Sequence, residues 1–69
     1  MRIKFNDYDP KDVIRIIREW TELSQKEFGK TINKSERTIQ DYEAGRRGYN
    51  TQTLKLIAKV HKLKITIEK

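Results

Sequence analysis

The sequence predicts a mainly α-helical domain, a compact set of four helices with room for a fifth, and short β-strands as an option at the N- and C-termini. Three observations lead there. Apolar residues recur at helical spacing over 13–20 and again over 54–61, helix-start signatures stand at Asp9-Pro10, at Ser24 to Glu27 and at Ser35, and strand-like alternation is confined to the two ends. The chain has 69 residues, no cysteine and one histidine. It reads as a single domain over residues 1–69, since no repeat, low-complexity tract or Ser/Gly linker divides it. Without cysteine neither a disulfide framework nor a cysteine zinc site can brace the fold, and His61 alone builds no metal site. A core of this size supplies only about 3–5 kcal/mol, so helix packing or oligomerisation has to carry the structure.

Arg2-Ile3-Lys4-Phe5 alternates polar and apolar residues, as does Lys64-Ile65-Thr66-Ile67-Glu68. As strands, they would set Ile3 and Phe5 against Ile65 and Ile67, within one chain or across a dimer, provided the ribbon packs on something. Asp9 is placed to cap a first helix, with Pro10 at its first position and Asp12 near the positive end of the dipole. Val13, Ile14, Ile16, Ile17 and Trp20 form the apolar stripe of that helix, Trp20 being its largest core piece, and Arg15, Arg18, Glu19 and Glu22 fall outside. Ser24-Gln25-Lys26-Glu27 is a capping box that opens a second helix. Phe28 and Ile32 give this helix an inward face, Gly29 admits a close neighbour, and Asn33 suits the left-handed conformation that ends it. After a turn of about three residues, Ser35 caps a third helix running to about Glu43, with Ile39 and Tyr42 inward and Gly45 as its stop. The stretch from Arg46 to Asn50 is loop. Thr51 or Thr53 then caps a fourth helix with Leu54, Ile57, Ala58 and His61 inward and Lys55, Lys59 and Lys62 outward.

The net charge of +6 is unevenly placed: residues 1–43 hold nine Lys/Arg and nine Asp/Glu, whereas 44–69 hold seven Lys/Arg and only Glu68. Such asymmetry points to a polyanion partner, because cations that neutralise phosphates release condensed counterions. A merely solubilising surface has the same composition. Residues 1–10 lack the apolar run of a signal peptide, and no stretch approaches the roughly 18 apolar residues of a membrane span, so a cytoplasmic location is the simplest expectation. No nucleophile–base–orienter set, metal-ligand cluster or phosphate-cradling glycine loop is visible, and the expectation is no enzyme and no cofactor.

Two short helices joined by a tight turn can lay the second in the major groove of DNA while the first crosses the backbone. The run from Leu23-Ser24-Gln25 to Phe28, the run Ser35-Glu36-Arg37-Thr38-Ile39-Gln40-Asp41-Tyr42-Glu43-Ala44-Gly45, and the later Leu54, Ile57 and Ala58 resemble the Cro and phage-repressor (Xre-type) helix-turn-helix family. The resemblance covers about residues 13 to 63. Ser24-Gln25, Thr38-Ile39 and Tyr42-Glu43-Ala44-Gly45 are its most diagnostic pieces. It implies a helix-turn-helix domain with a reading unit at about 24–43, and a sequence-specific regulator of transcription, a repressor of phage, mobile-element or bacterial type, acting as a homodimer on double-stranded DNA.

The resemblance further implies that Gln25 contacts a phosphate and braces a side chain of the recognition helix, and that the face beginning at Ser35 reads bases. Glu36, Arg37, Gln40 and Asp41 are then the readers. Their chemistry agrees: Arg37 can donate two bonds to guanine, Gln40 can pair with adenine, and Glu36 or Asp41 can accept from the cytosine amino group. Thr38 offers a methyl to thymine or a hydroxyl to phosphate. Lys34, Arg46 and Arg47 flank the helix and suit backbone phosphates, whereas Glu36 and Asp41 are equally able to pair with Arg37 or a lysine. Glu43 is expected to bond buried or loop main-chain groups, and Lys55, Lys59, Lys62 and Lys64 to steer association from a distance. Three departures from the family stand out: His61 in place of a large aliphatic residue, Lys34 in place of an apolar or small one, and no proline in the 46–53 loop. The Ile65-Thr66-Ile67 segment stands where many relatives carry a fifth helix. An alternative of another class is a protein-interaction module, such as an antitoxin or antirepressor on this fold, that meets its partner through Tyr8, Tyr49 or the terminal strands.

Overall fold

A computed structural model describes residues 1–67. The elements follow in the order β1 (Arg2–Lys4), a single 3-10 turn (Phe5–Asp7), α1 (Pro10–Thr21), α2 (Gln25–Thr31), α3 (Glu36–Ala44), α4 (Thr51–His61) and β2 (Lys64–Thr66). The mainly α class and the four helices are as the sequence predicts, and among the described residues there is no fifth helix. β1 and β2 pair in parallel, with Arg2 opposite Lys64, Ile3 opposite Ile65 and Lys4 opposite Thr66. The two ends therefore meet within one chain, and all four helices form the crossover that a parallel pair requires. So short a ribbon holds because Ile3 and Leu63 are buried and Ile65 packs on the helical core. Phe5 departs from expectation. It leaves the strand for the 3-10 turn and meets Tyr49 edge-on, with centroids 6.4 Å apart, while Ile67 is exposed.

Asp9 occupies the N-cap position of α1 with Pro10 behind it, but its side chain makes no cap bond. The Asp9 main-chain oxygen accepts instead from the N–H groups of Asp12 at 2.9 Å and Val13 at 3.2 Å. Val13, Ile14 and Ile17 are fully buried, whereas Trp20 is 48% exposed and is not the core piece its spacing suggested. At 100° per residue Trp20 lies roughly 65° round from the centre of the arc formed by the other three. It also falls in the last turn, just before Glu22 takes the left-handed conformation (φ 63°) that ends the helix.

The capping box of α2 is complete: Glu27 N–H donates to Ser24 Oγ at 3.1 Å and Ser24 N–H to Glu27 Oε1 at 3.0 Å. Hydrogen bonding from the Ser24 main chain, and then from its side chain, holds the Glu27 carboxyl below its ordinary value. Phe28 and Ile32 face the core, and Asn33 is left-handed at φ 58°. The Gly29 carbonyl accepts from Ile32 N–H at 3.1 Å and Lys34 N–H at 2.8 Å, folding the turn back on the helix. A Cβ on Gly29 would stand 2.5 Å from the Lys34 carbonyl oxygen and 3.3 Å from Ile39 Cγ1. Only glycine fits this approach. Ser35 Oγ accepts from Thr38 N–H at 3.1 Å to start α3, and Gly45, left-handed at φ 76°, ends it.

The cap of α4 is Asn50 and not Thr51 or Thr53. Asn50 Oδ1 accepts from both Thr53 N–H at 2.9 Å and Thr53 Oγ1–H at 3.1 Å, which leaves Thr53 as a buried partner of the cap. Asparagine is the stronger N-cap, because its carbonyl oxygen reaches the third helical N–H without strain. Leu54 and Ile57 are buried, and the ring of His61 stacks on Phe28 at a centroid distance of 5.0 Å. Thr31 Oγ1 gives its hydrogen to the Phe28 carbonyl at 2.6 Å, so it accepts from His61 Nε2–H at 2.9 Å. The lone histidine thus fastens α4 to α2, and burial keeps its pKa below the ordinary 6.5.

Because the clash at Gly29 is with main chain, which cannot rotate away, Gly29→Ala should cost about 2–3 kcal/mol, read as a lower urea midpoint at unchanged slope. The folded state disfavours charged His61, so its contribution to stability is complete above pH 6.5 and is lost as the pH falls below that value. Unfolding at about pH 7.5 and about pH 5.5 should therefore find the protein less stable at the acid end, with most of the difference abolished in His61→Gln.

Candidate nucleic-acid interface

Burial of Ile39 and Tyr42 fixes how α3 is turned. With those two inward, a 100° step places Arg37, Gln40, Asp41 and Ala44 on the far, solvent side, and leaves Thr38 on one flank and Glu43 with the exposed Glu36 on the other. Arg37 has a 76% exposed side chain whose Nε donates to Asp41 Oδ1 at 3.2 Å. Arg46 Nε, from the loop beyond the helix, donates to the same oxygen at 3.0 Å. The hydrogen bond from Arg46, with that from Arg37 behind it, holds the Asp41 carboxyl below its ordinary value. Among the described residues the side chains of Glu36 and Gln40 make no hydrogen bond or ion pair. The Ser35 hydroxyl is already committed to the helix cap and to Thr38 Oγ1, 2.9 Å away.

Cations stand at both ends of this face. Lys34 closes the turn before α3, and Arg46 and Arg47 follow Gly45 with their N–H groups tied to the Asp41 carbonyl at 2.9 and 3.3 Å. The loop thus begins anchored to α3. Tyr49, expected to be exposed, is instead half-buried: its hydroxyl donates to the Pro10 carbonyl, its ring meets Tyr42 edge-on at 5.3 Å, and burial pushes its pKa up to about 12. Sequence reasoning passed over a cleft of about 300 Å³ between the α2–α3 turn and the start of α4, where Gln52 stands with Lys34 and Asn33. Gln52 lies eighteen positions from Lys34 in the chain, and no local pattern joins them.

The inner flank of α3 carries the other charged group. Arg18 Nε donates to Glu43 Oε2 at 2.7 Å and Arg18 Nη2 to Glu43 Oε1 at 3.0 Å, with side chains only 19% and 8% exposed. Arg18 Nη1 also donates to the Leu23 carbonyl at 3.1 Å, and Gln25 Nε2 to Glu43 Oε1 at 3.4 Å. One carboxylate at the end of α3 is therefore tied to α1 and to the first residue of α2, and its arginine partner is tied to the α1–α2 turn. This corrects two expectations, that Arg18 lies outside and that Glu43 bonds main-chain groups. A carboxylate aimed into the interior needs a cation, and the planar fork of arginine satisfies both of its oxygens at once. Hydrogen bonding to Glu43 raises the Arg18 pKa above its ordinary value, against the opposing effect of burial.

A helix-capped pair with its second helix so exposed, and so fastened from behind, is the geometry of a helix-turn-helix. A family model described as helix-turn-helix matches residues 14–67. The chain belongs to this helix-turn-helix family, of Cro and phage-repressor (Xre) type. Comparison with curated proteins and with solved structures finds no significant match. Membership makes the protein a DNA-binding helix-turn-helix regulator, in a family that binds DNA and is not enzymatic. No helix of this helix-turn-helix protein, among the described residues, is long and apolar enough to cross a membrane.

Breaking the interior pair from either side strands a polar group, so Glu43→Gln and Arg18→Met should each cost about 3 kcal/mol. The double substitution should cost clearly less than their sum when all four proteins are unfolded in urea as a cycle.

Proposed function

We propose that the protein is a sequence-specific transcriptional repressor of phage, mobile-element or bacterial type that binds duplex DNA as a homodimer with α3 in the major groove. The observation that carries this is the outward face of α3, polar and charged opposite buried Ile39 and Tyr42, with Lys34 at one end and Arg46 and Arg47 at the other. The major groove admits a helix presenting such a face. In this arrangement Arg37 reads guanine through paired donors, Gln40 pairs with adenine and Glu36 accepts from a cytosine amino group, with Ser35 opening the reading face. Lys34, Arg46 and Arg47, helped by Gln25 and Thr38, hold the phosphates and set the register. A dimer imposes a near-palindromic site with half-sites about one helical turn apart.

Leu56 and Val60, four apart on α4 and both exposed, favour a second activity, binding of a protein partner as an antitoxin or antirepressor does. The two are told apart by generic duplex: a DNA binder holds it with steep salt dependence, and a pure protein binder does not.

Selection from a random duplex pool at two salt concentrations should enrich a near-palindromic site. Arg37→Ala should then cost about 1–3 kcal/mol and relax the preference at one base pair, whereas Arg46→Ala should weaken all sequences alike. Equal, sequence-independent losses would remove Arg37 from base readout, and no binding at low salt would sink the repressor.

A further inference from the structure

An acidic residue on a face that meets phosphates is repelled by its ligand, and Asp41 sits on the outward side of α3, next to Arg37. Its surroundings supply a reason. Asp41 Oδ1 receives Arg37 Nε at 3.2 Å and Arg46 Nε at 3.0 Å, and the Asp41 carbonyl receives the N–H groups of Arg46 and Arg47 at 2.9 and 3.3 Å. Both arginines are gripped by the Nε edge. Among the described residues both side chains make their hydrogen bonds from Nε alone. A guanidinium presents two usable edges, and the terminal pair, left open here, can donate to guanine O6 and N7 or to two phosphate oxygens. Asp41 itself is the least exposed of the three, with 20% of its side chain open against 76% for Arg37 and 59% for Arg46.

Resting on α3 as the recognition helix, we propose that Asp41 is a positioning residue: its carboxylate holds Arg37 by the Nε edge so that the terminal amino groups face a guanine, and holds Arg46 alongside to meet the neighbouring phosphate. A long side chain left free must surrender its rotamers when it binds, and one already held surrenders less. The trio keeps a net charge of +1, so the carboxylate does not reverse the attraction to the backbone. Asp41 thus leaves direct base readout and acts through Arg37. The bonds that end α3 come from its main-chain carbonyl, which any residue at this position retains.

Two substitutions separate positioning from charge. Asp41→Ala removes the acceptor, Asp41→Asn keeps a neutral one, and both delete the same negative charge. On the site enriched by the unaltered protein, Asp41→Ala should lower the guanine preference at the base pair read by Arg37 roughly five- to tenfold, with Asp41→Asn in between. Both variants should bind generic duplex more tightly, by about the same factor, because each adds one net positive charge. Combining Arg37→Ala with Asp41→Ala should lower that preference no further than Arg37→Ala does alone. Full guanine preference in both variants would overturn the proposal and leave Asp41 a mere repelled charge. A preference lost at a different base pair would overturn it too, and make Asp41 a direct reader. Failure of the unaltered protein to enrich any site would overturn the assignment of α3 and the proposal with it, and it appears before any variant is made.

Discussion

The approach of the Lys34 carbonyl to Gly29 is the constraint on which the unit depends. Gly29 accepts two N–H groups from the turn while its own missing side chain leaves the space that the turn occupies. With a methyl there the carbonyl would move out, Asn33 would lose the left-handed geometry that reverses the chain, and Ser35 would no longer begin α3 where Ile39 can reach the core. The crossing of α2 and α3 is thus set by a contact of main chain with main chain, which tolerates little change because neither party can change rotamer.

The interior ion pair holds what that turn starts. Arg18, Glu43 and Gln25 join three helices at the far end of α3, so α3 is fixed at its first turn by packing beside Gly29 and at its last by hydrogen bonds. A buried charge pair gains little net stability, since desolvation offsets most of the attraction. What it gains is direction: the guanidinium edge donates to both carboxylate oxygens in one plane, and this helps turn the opposite face of α3 to solvent.

Charge on this small protein therefore does two kinds of work, separated by about half a helical turn. Glu43 is neutralised from within and keeps α3 in place. Asp41, on the outward side with 20% of its side chain open to solvent, is shared by two arginines. Two carboxylates two positions apart on one helix are thus held in different ways, one from inside and one on the outward side, and the distinction comes from which way the helix is turned. The strand pair closes the molecule on the side where the chain ends meet, and it survives at three residues a strand because Ile3 and Leu63 are buried against the helices.

Local signals were legible in the sequence because each is settled within a turn of helix. The capping box at Ser24, the cap at Ser35, the left-handed Asn33 and Gly45, the inward Ile39 and Tyr42 and the exposed face between them all follow from spacings of three or four residues. The family motif is made of those same short pieces. What the sequence alone left open or misassigned depends on groups distant along the chain. Trp20 has the right spacing for the core but falls at the rim, since helix ends and neighbours decide how wide a buried arc is. Asn50 took the cap from two threonines that looked as suitable, and Glu22 and Lys62 adopt left-handed conformations that their side chains do not announce. The partnership of Arg18 with Glu43 spans 25 positions and the pairing of β1 with β2 spans the chain. No periodicity records such contacts, because they arise only when packing brings the two segments together, and tertiary structure alone could decide them.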